Sequence, residues 1–319
     1  MIVPEMMKAE VIDRFGPPEQ VMRTATVRVP EVGDDEVLIA VRTAGVGAWD
    51  PELCEGEFGA EAGLPRVLGS DGSGTVVAAG SNARLFAIGD HVYAYGFMNP
   101  KGGFYAEYAA VPENEVSRVP DALSLDEAGA LAVDGLTALA GLDLVHLVRD
   151  ETLVILGASG GVGHLALELA KRIGARALAI ASGPDGVKLA RDLGADEAVD
   201  GHRPDALIEA RAFATDGFDA ALVLAGAGAE DLPGLVKQGG RIAYPNGVEP
   251  VPPSGPGITV QGYDGYHGRD ALERLNRFVA MGPFHVEVSR TYALEETPKA
   301  LVDVTRHHLG KLAVRVQAA

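Results

Sequence analysis

The stretch VILGASGGVGHLALELAKRIGA, residues Val154 to Ala175, decides how this part of the chain folds. It runs from an apolar segment through a loop with four glycines in seven positions into an apolar pattern at helical spacing. This order predicts a strand, a tight turn and a helix from Gly161 to Ile173. Within it, Ala158, Gly160 and Gly163 form an A-x-G-x-x-G variant of the dinucleotide-binding fingerprint.

The fingerprint has a physical basis. A bare backbone near Gly160 lets a pyrophosphate approach closely, and Gly163 lets the helix pack against the strand. The pyrophosphate then accepts from free N–H groups at the positive end of the helix dipole. We therefore predict that this loop binds a dinucleotide. Its predicted contacts are Ala158, Ser159, Gly160, Gly161, Val162 and Gly163.

The end of the next strand bears on the choice of cofactor. ARALAIAS ends at Ser182, followed by Gly183, without the carboxylate that an NAD site usually offers to the ribose. A hydroxyl and an amide can donate to a 2′-phosphate instead, and Lys188 and Arg191 follow on the next helix. Asp185 could still turn back toward a ribose, and Lys188 is equally well explained as a solvated surface lysine. The prediction is NADPH.

The wider chain supports an α/β fold. Strand and helix patterns alternate after Glu151, which is typical of a doubly wound parallel sheet. The first third differs, because segments such as EVLIAVRTAGV and DHVYAYG are rich in β-branched residues and separated by glycines. This composition predicts a small β-rich unit that ends near Pro120.

Composition and charge limit the partners. The chain has 319 residues, 47% of them hydrophobic, and a formal net charge of −18. Because an acidic surface repels phosphate backbones, we predict no nucleic-acid partner. We also expect neither binding to an anionic membrane surface nor a membrane-spanning segment. Cys54 is the only cysteine, which excludes an internal disulfide and a multi-cysteine zinc site. A cytoplasmic location fits these features.

Several segments together resemble the medium-chain dehydrogenase/reductase superfamily, in its zinc-independent, quinone oxidoreductase-like (zeta-crystallin-like) branch. They run in family order over nearly the whole chain. They are GVGAWDPELCEGEF, LPRVLGSDGSGTVVAAGSNARLFAIGDHVYAY, GGFYAEYAAVPE, GLTAL, GASGGVG and the terminal GKLAVRV. The resemblance implies a GroES-like catalytic domain at residues 1–122 and 285–319, interrupted by a Rossmann dinucleotide-binding domain at residues 123–284. It also implies NADPH and a homodimer.

The resemblance assigns roles to further residues. Thr137 is expected beside the nicotinamide, the backbone at Ala225 and Gly226 near its carboxamide, and Tyr244 and Asn246 in the same cleft. Tyr266 and His267 could donate a proton or a hydrogen bond, although a role in a surface loop is at least as plausible. The family's first active-site segment would form the substrate pocket. Its residues are Gly47, Ala48, Trp49, Asp50 and Phe58.

This chain departs from its zinc-dependent relatives at the metal site. Gly47 stands where they have a cysteine ligand, and Ser70 and Asp71 stand where they have a His-Glu pair. We therefore predict no metal. Quinone-reducing relatives also often carry an asparagine at position 47, so we expect an apolar, roomy pocket here. Asp50 is interpreted as the N-cap of a short helix.

Without a metal, an isolated carbonyl lacks a Lewis acid, whereas a conjugated acceptor delocalises the incoming charge itself. The sequence thus favours an NADPH-dependent, zinc-independent oxidoreductase that transfers hydride to quinones or α,β-unsaturated carbonyls, with a small apolar conjugated molecule as substrate. Two alternatives stay open: an enoyl-thioester reductase, and a non-catalytic NADPH-binding protein of the crystallin kind. For the dimer, the apolar stretch GITVQGY after Pro256 is a candidate sheet edge that pairs with its own copy.

Overall fold

The structure, a computed structural model, describes residues 3–57 and 63–317. The chain divides into two compact units. The first unit comprises Met1–Val133, His267–Ala280 and Val288–Ala319, and the second comprises Asp134–Tyr266 and Met281–Glu287. The chain thus enters the second unit twice, at Asp134 and at Met281, before its C-terminal segment rejoins the first.

The strands lie in the following order along the chain. They are β1 (Met6–Ile12), β2 (Met22–Arg28), β3 (Glu36–Val46), β4 (Arg66–Val67), β5 (Asp71–Ala79), β6 (His91–Tyr95), β7 (Tyr108–Pro112), β8 (Val116–Arg118), β9 (Thr152–Leu156), β10 (Arg176–Ala181), β11 (Glu197–Asp200), β12 (Phe218–Val223), β13 (Val236–Pro245), β14 (Thr259–Tyr263), β15 (Val288–Ala293) and β16 (Lys311–Arg315).

The α-helices alternate with these strands mainly in the second unit. They are α1 (Pro18–Val21), α2 (Asp50–Glu55), α3 (Leu125–Ala128), α4 (Ala132–Leu144), α5 (Gly161–Ile173), α6 (Gly183–Asp192), α7 (Ala206–Phe213), α8 (Arg269–Val279) and α9 (Thr297–Asp303). Short 3-10 turns lie at Glu113–Glu115, Ala229–Gly234 and Leu294–Glu296.

The second unit is built on a parallel sheet in the order β11-β10-β9-β12-β13-β14. The chain moves outward from β9 to β11 and then returns to β12 beside β9. Because parallel crossovers are right-handed, the helices before and after this reversal cover opposite faces of the sheet. The ends of β9 and β12 therefore form the switch point at which such sheets bind ligands.

The first unit is built mainly on antiparallel strands, and only β15 and β16 of its described strands pair in parallel. Its larger sheet runs β15-β16-β3-β5-β6-β8, with β7 paired to β3, and a smaller one runs β2-β1-β4. Strand β16 lies antiparallel to the end of β3, with Leu312 opposite Val46. This register brings the C-terminal strand of the chain to the segment that starts at Gly47.

The predicted α/β class with a doubly wound parallel sheet is confirmed, and α5 has the predicted bounds. The division between units differs in detail from the one expected. The second unit starts at Asp134 rather than at residue 123, and α8 belongs to the first unit. Asn276 connects α8 to strands of the first unit. Its side-chain amide donates to Ser117 Oγ at 2.9 Å and accepts from the Tyr93 hydroxyl in β6.

Within the described residues, no helix combines the length and the apolar character needed to cross a membrane.

Candidate active site

The glycine loop between β9 and α5 explains why an alanine opens the fingerprint. The left-handed residue of the turn is Gly157, with φ +82°, and not the position after it. Ala158 donates its N–H to the Ile180 carbonyl at 3.1 Å and is fully buried, so a methyl group fits there. Glycine is needed one residue earlier than the fingerprint counts it.

Gly160 and Gly163 have different roles in the loop. A Cβ at Gly163 would lie 2.1 Å from the Gly157 carbonyl oxygen, so only glycine lets α5 start this close to β9. A Cβ at Gly160 would meet only that same oxygen, at 3.5 Å, which leaves the space beside it open. Since the first-turn N–H groups of a helix have no intrahelical partner, this open space is where an anion would be held. The loop therefore fits the pyrophosphate of a dinucleotide.

Ser159 joins the loop to the end of β10. Its hydroxyl accepts from the Ser182 N–H at 3.1 Å, and it faces Gly186 of α6, where a Cβ would come within 2.8 Å. The Gly183 N–H, expected to donate to a 2′-phosphate, donates instead to Asp200 Oδ1 at 3.1 Å. The hydrogen bond from the His202 backbone is the main cause that lowers the pKa of Asp200.

The structure gives Lys188 and Arg191 partners other than a cofactor. Lys188 pairs with Asp192 at 2.5 Å, and Arg191 donates to the Ala198 carbonyl at 3.2 Å. Gly186 is the α6 residue that faces the loop, and positions two and five further on lie about 200° and 140° around the helix. Their assignment to a 2′-phosphate is therefore not supported by the geometry.

The predicted nicotinamide contacts Ala225 and Gly226 follow β12 at the switch point. Ala225 lies beside Gly157 of the loop, since a Cβ on Gly157 would be 3.2 Å from the Ala225 Cβ. The Glu249 carbonyl packs against Gly226, and its oxygen would lie 1.7 Å from a Cβ at position 226. Ala225 is thus brought to the loop that would hold the dinucleotide, whereas Gly226 packs against Glu249.

Tyr244 and Asn246 lie at the end of β13 on the same edge. Asn246 donates two hydrogen bonds, from its backbone N–H to the Tyr263 carbonyl at the end of β14 at 2.8 Å and from its side-chain amide to Asp264 Oδ1 at 2.9 Å. Tyr244 packs against Gly262 and is half-buried. These contacts order the turn after β14.

Thr137 lies on α4, and Tyr266 contacts the same helix at a different point along its axis. A Cβ at Gly265 would be 2.5 Å from Thr137 Oγ1, so the turn after β14 lies on this threonine. The Tyr266 hydroxyl donates to Asp143 Oδ2 at 3.0 Å. Because Thr137 and Asp143 are six residues apart on one helix, the threonine and the acceptor of Tyr266 are about 9 Å apart along its axis. Tyr266 is therefore bound away from the predicted nicotinamide contact.

His267 belongs to the first unit. Its ring is 3.0 Å from Glu115 Oε1 and stacks on Tyr95 with the centroids 5.8 Å apart. The side chain is 67% exposed. Its contacts are those of a surface histidine paired with a carboxylate.

The predicted substrate segment contains a buried polar cluster that the sequence analysis missed. Asp50 is fully buried and accepts from Tyr105 at 2.5 Å and from the Gly47 N–H at 2.8 Å. Ser70 donates to its other oxygen at 3.4 Å. Asp50 is the first residue of α2 and Trp49 is its N-cap residue, so the interpretation of Asp50 as the N-cap is wrong. Tyr105 lies in the GGFYAEYAAVPE motif, which was the available signal.

Burial controls the charge of this cluster. It raises the pKa of Asp50 to about 6, although the bonds from Tyr105 and Gly47 and the nearby Lys311 act in the opposite direction. Burial, with Asp50 as a further cause, also raises the pKa of Cys54 to about 12. Cys54 is buried in α2 with an inert thiol, as predicted for a cysteine that packs as a small hydrophobe.

The pocket at Gly47 is not roomy. The Trp49 indole covers this glycine, and a Cβ at position 47 would lie 2.3 Å from Trp49 Cε2. Trp49 is half-buried and Ala48 is exposed. Phe58, the remaining predicted pocket residue, lies outside the described residues.

The metal-ligand positions of zinc-dependent relatives do not fit a metal here. Gly47 has no side chain, Ser70 is bonded to Trp49 and Asp50, and Asp71 Oδ2 accepts from the Val133 N–H at 3.0 Å. Among the residues the structure describes, no three His, Cys, Asp or Glu side chains are grouped to hold a metal ion.

Comparisons with known proteins agree with this architecture. Residues 33–121 match the alcohol dehydrogenase GroES-like domain, and residues 161–275 match the family described as zinc-binding dehydrogenase. The chain is 30% identical to the chloroplastic NADPH-dependent alkenal/one oxidoreductase of Arabidopsis thaliana, over 88% of this chain and 71% of that one. It is 29% identical to a quinone oxidoreductase of Pseudomonas aeruginosa, over 90% and 92% of the two chains.

A solved structure of an NAD-dependent alcohol dehydrogenase superposes with a TM-score of 0.90 at 29% identity, covering 98% of this chain and all of the other. The fold is thus a GroES-like domain with a Rossmann-type domain. The chain belongs to the medium-chain dehydrogenase/reductase superfamily, in its quinone oxidoreductase-like branch, and is an NAD(P)-dependent oxidoreductase.

Proposed function

We propose that this chain is a zinc-independent reductase that transfers hydride from NADPH to quinones or α,β-unsaturated carbonyls. The observation that carries the proposal is the loop between β9 and α5, whose open side at Gly160 lies at the switch point of a parallel sheet. When bound, the nicotinamide supplies the hydride, which carries both electrons of the reduction.

In this proposal the residues of the chain bind the dinucleotide and orient it. The backbone of Gly160 and Val162 would hold the pyrophosphate, and the backbone at Ala225 and Gly226 would approach the carboxamide. Holding both ends of a dinucleotide fixes the reacting carbon, and positioning of this kind supplies much of the rate in a hydride transfer.

The acceptor must carry its own electron sink. Among the described residues, Gly47, Ser70 and Asp71 do not form a ligand set that could hold a metal ion as a Lewis acid. A conjugated C=C or a quinone spreads the incoming charge onto its own oxygen, where solvent delivers a proton. This favours conjugated acceptors over isolated carbonyls.

Two observations favour NADPH as the cofactor. No carboxylate follows the end of β10 at Ser182, and one relative is named as NADPH-dependent. Lys188 and Arg191 no longer support it. Titration of the apoprotein with NADPH and with NADH, followed by the quenching of protein fluorescence, tests the preference directly. Tighter binding of NADH would refute NADPH while leaving the reductase class intact.

The reaction itself is tested by an acceptor panel. Oxidation of NADPH is followed with benzoquinones, naphthoquinones, enones and enoyl thioesters, once with ordinary and once with 4-deuterated cofactor. We expect turnover of quinones and enones with an isotope effect on the transferred deuterium. Binding of NADPH without turnover of any acceptor would refute the proposal. A small apolar substrate, the absence of nucleic-acid partners and a cytoplasmic location remain predictions from the sequence.

A further inference from the structure

In the segment after β3, the indole of Trp49 packs directly over Gly47. We call this contact the Trp49–Gly47 interlock. Three indole atoms of Trp49 lie within 2.8 Å of where a Cβ on Gly47 would be, and the shortest of these distances is 2.3 Å. Real Cβ atoms do not approach other atoms so closely. The indole therefore occupies the volume that any side chain at position 47 would need.

Contacts on several sides fix the indole. Its Nε1 donates to Ser70 Oγ at 2.8 Å, and Phe97 meets it edge-on with the ring centroids 6.4 Å apart. The Lys311 ammonium lies 5.6 Å from the ring centroid, within the range of a cation–π interaction. Lys311 is only 3% exposed, so this contact is made away from bulk water.

The partners of the indole are themselves buried and connected. Ser70 donates to Asp50, which also binds Tyr105, and burial leaves none of these three side chains free to reorient. The pairing of Leu312 with Val46 brings Lys311, one residue before it, beside Gly47, one residue after Val46. Elements far apart in sequence thus hold a single ring in one orientation.

We propose that Trp49 is the specificity-determining residue of the acceptor site and limits the width of the acceptors that enter. The inference rests on the proposed function, because it takes the segment from Gly47 to Asp50 as part of that site. Trp49 is half-buried, so part of this residue stays accessible from outside. A rigid aromatic wall accepts flat conjugated rings and excludes those with bulky substituents on the facing edge.

The functional test uses a series of p-quinones with the same ring and alkyl substituents of increasing size. Trp49→Ala should raise kcat/KM for the bulkiest quinone, relative to the unsubstituted one, by roughly tenfold or more, since a pocket discriminates by ~1–3 kcal/mol for each methylene. A ratio within about twofold of the wild-type value would overturn the proposal.

Two further variants separate the role of Trp49 from general loosening. Ser70→Ala removes the acceptor of the indole N–H without opening a cavity, and should relax the size limit partly. Phe213→Leu trims a ring of the second unit that stacks on Phe218, and should leave the ratio unchanged. An equal change of the ratio in Phe213→Leu would assign the effect to stability rather than to Trp49.

The interlock has a test that needs no turnover. Gly47→Ala should lower the Tm in the wild-type background by several degrees, whereas in Trp49→Ala the same substitution should cost almost nothing. An unchanged Tm in the wild-type background, or equal costs in both, would overturn the interlock.

A binding readout separates this inference from the proposed function. Trp49 is the single tryptophan of the chain, so tryptophan emission reports on this ring alone. The unsubstituted quinone, added without cofactor, should quench that emission saturably, and the bulkiest quinone should not. Saturable quenching without any turnover would refute the proposed reaction but keep the acceptor site at Trp49. Turnover of quinones with no saturable quenching would place the acceptor elsewhere and overturn the role of Trp49.

Discussion

Asp50 keeps a carboxyl group in a place that water does not reach. Its pKa of about 6 means that the folded chain holds this proton more tightly than the unfolded chain, where the ordinary value is 3.8. The desolvation that causes this exceeds the stabilisation from Tyr105, Gly47 and Lys311. The cluster is therefore most stable with the carboxyl protonated.

The stability of the wild-type chain should carry a pH dependence from this group. Because the folded pKa is raised, the contribution of Asp50 is fully present below pH 4 and is lost as the pH rises through 6. At 1.36 kcal/mol per pH unit, the difference from 3.8 corresponds to about 3 kcal/mol.

Asp50→Asn removes the titration but keeps the shape and the acceptor for Tyr105. Urea unfolding of both proteins between pH 4 and pH 7 measures the effect. The free energy of unfolding of the variant should gain on that of the wild type as the pH rises. A constant difference across this range would contradict the assignment.

Tyr266 and His267 are each bound to a carboxylate, Asp143 and Glu115. Neither contact resembles the preparation of a proton donor for substrate. Tyr266→Phe and His267→Gln should therefore each lower kcat/KM by less than about tenfold, measured with an enone as acceptor. A thousandfold loss in Tyr266→Phe would identify a proton donor and revise the mechanism.

Single residues could be predicted only where their role is local. Gly163 follows from the spacing of its own loop, and the burial of Cys54 follows from its residue type. The Trp49–Gly47 interlock could not be predicted, since it depends on Ser70 and Lys311, which lie 21 and 262 positions from Trp49 in sequence. Lys311 leaves a signal only as the charged residue that opens the terminal strand KLAVRV.

At the scale of elements, the turn between β9 and α5 combines a fold requirement with a binding requirement. Gly163 serves the fold, because the Gly157 carbonyl fills the space a side chain would need. Gly160 serves the ligand, because the protein leaves its Cβ position open. Alanine substitutions at these two glycines, which lie three residues apart, are therefore expected to have different effects.

Alanine substitutions separate the two roles. Gly163→Ala should lower the free energy of unfolding by roughly 1–3 kcal/mol, the usual cost of overpacking. Gly160→Ala should leave stability nearly unchanged, since its φ of −83° suits alanine, yet weaken dinucleotide binding about tenfold or more. Thermal unfolding and fluorescence titration with NADPH measure both quantities. Equal effects of the two variants on stability and binding would contradict this division of roles.

The elements of the second unit followed from sequence because each is locally periodic. Of the helices, α5 illustrates the agreement, since it runs from Gly161 to Ile173 as predicted. The first unit was harder to predict. The terminal pattern EETPKALVDVTRHHL predicts a helix, but α9 covers only Thr297–Asp303, because a 3-10 turn precedes it and the chain then returns to β16.

At the scale of the whole molecule, β14 lies at an edge of the sheet in the described part of the chain, with Thr259 and Gln261 exposed. An open edge can pair with its own copy across a two-fold axis. We expect a homodimer by light scattering at micromolar concentration. Thr259→Lys places like charges near the axis and should shift the protein to monomers, whereas the exposed Ile208→Lys on α7 should not. A wild-type monomer would refute the dimer.

In the proposed reaction the acceptor, and not the protein, stabilises the charge that hydride transfer creates. The direct test compares an enone with the saturated ketone of the same carbon skeleton, both reduced by the wild-type enzyme with NADPH after exhaustive chelation. We predict that kcat/KM for the enone exceeds that for the ketone by at least about a hundredfold, or ~2.7 kcal/mol in activation free energy. Comparable reduction of the saturated ketone would contradict the claim.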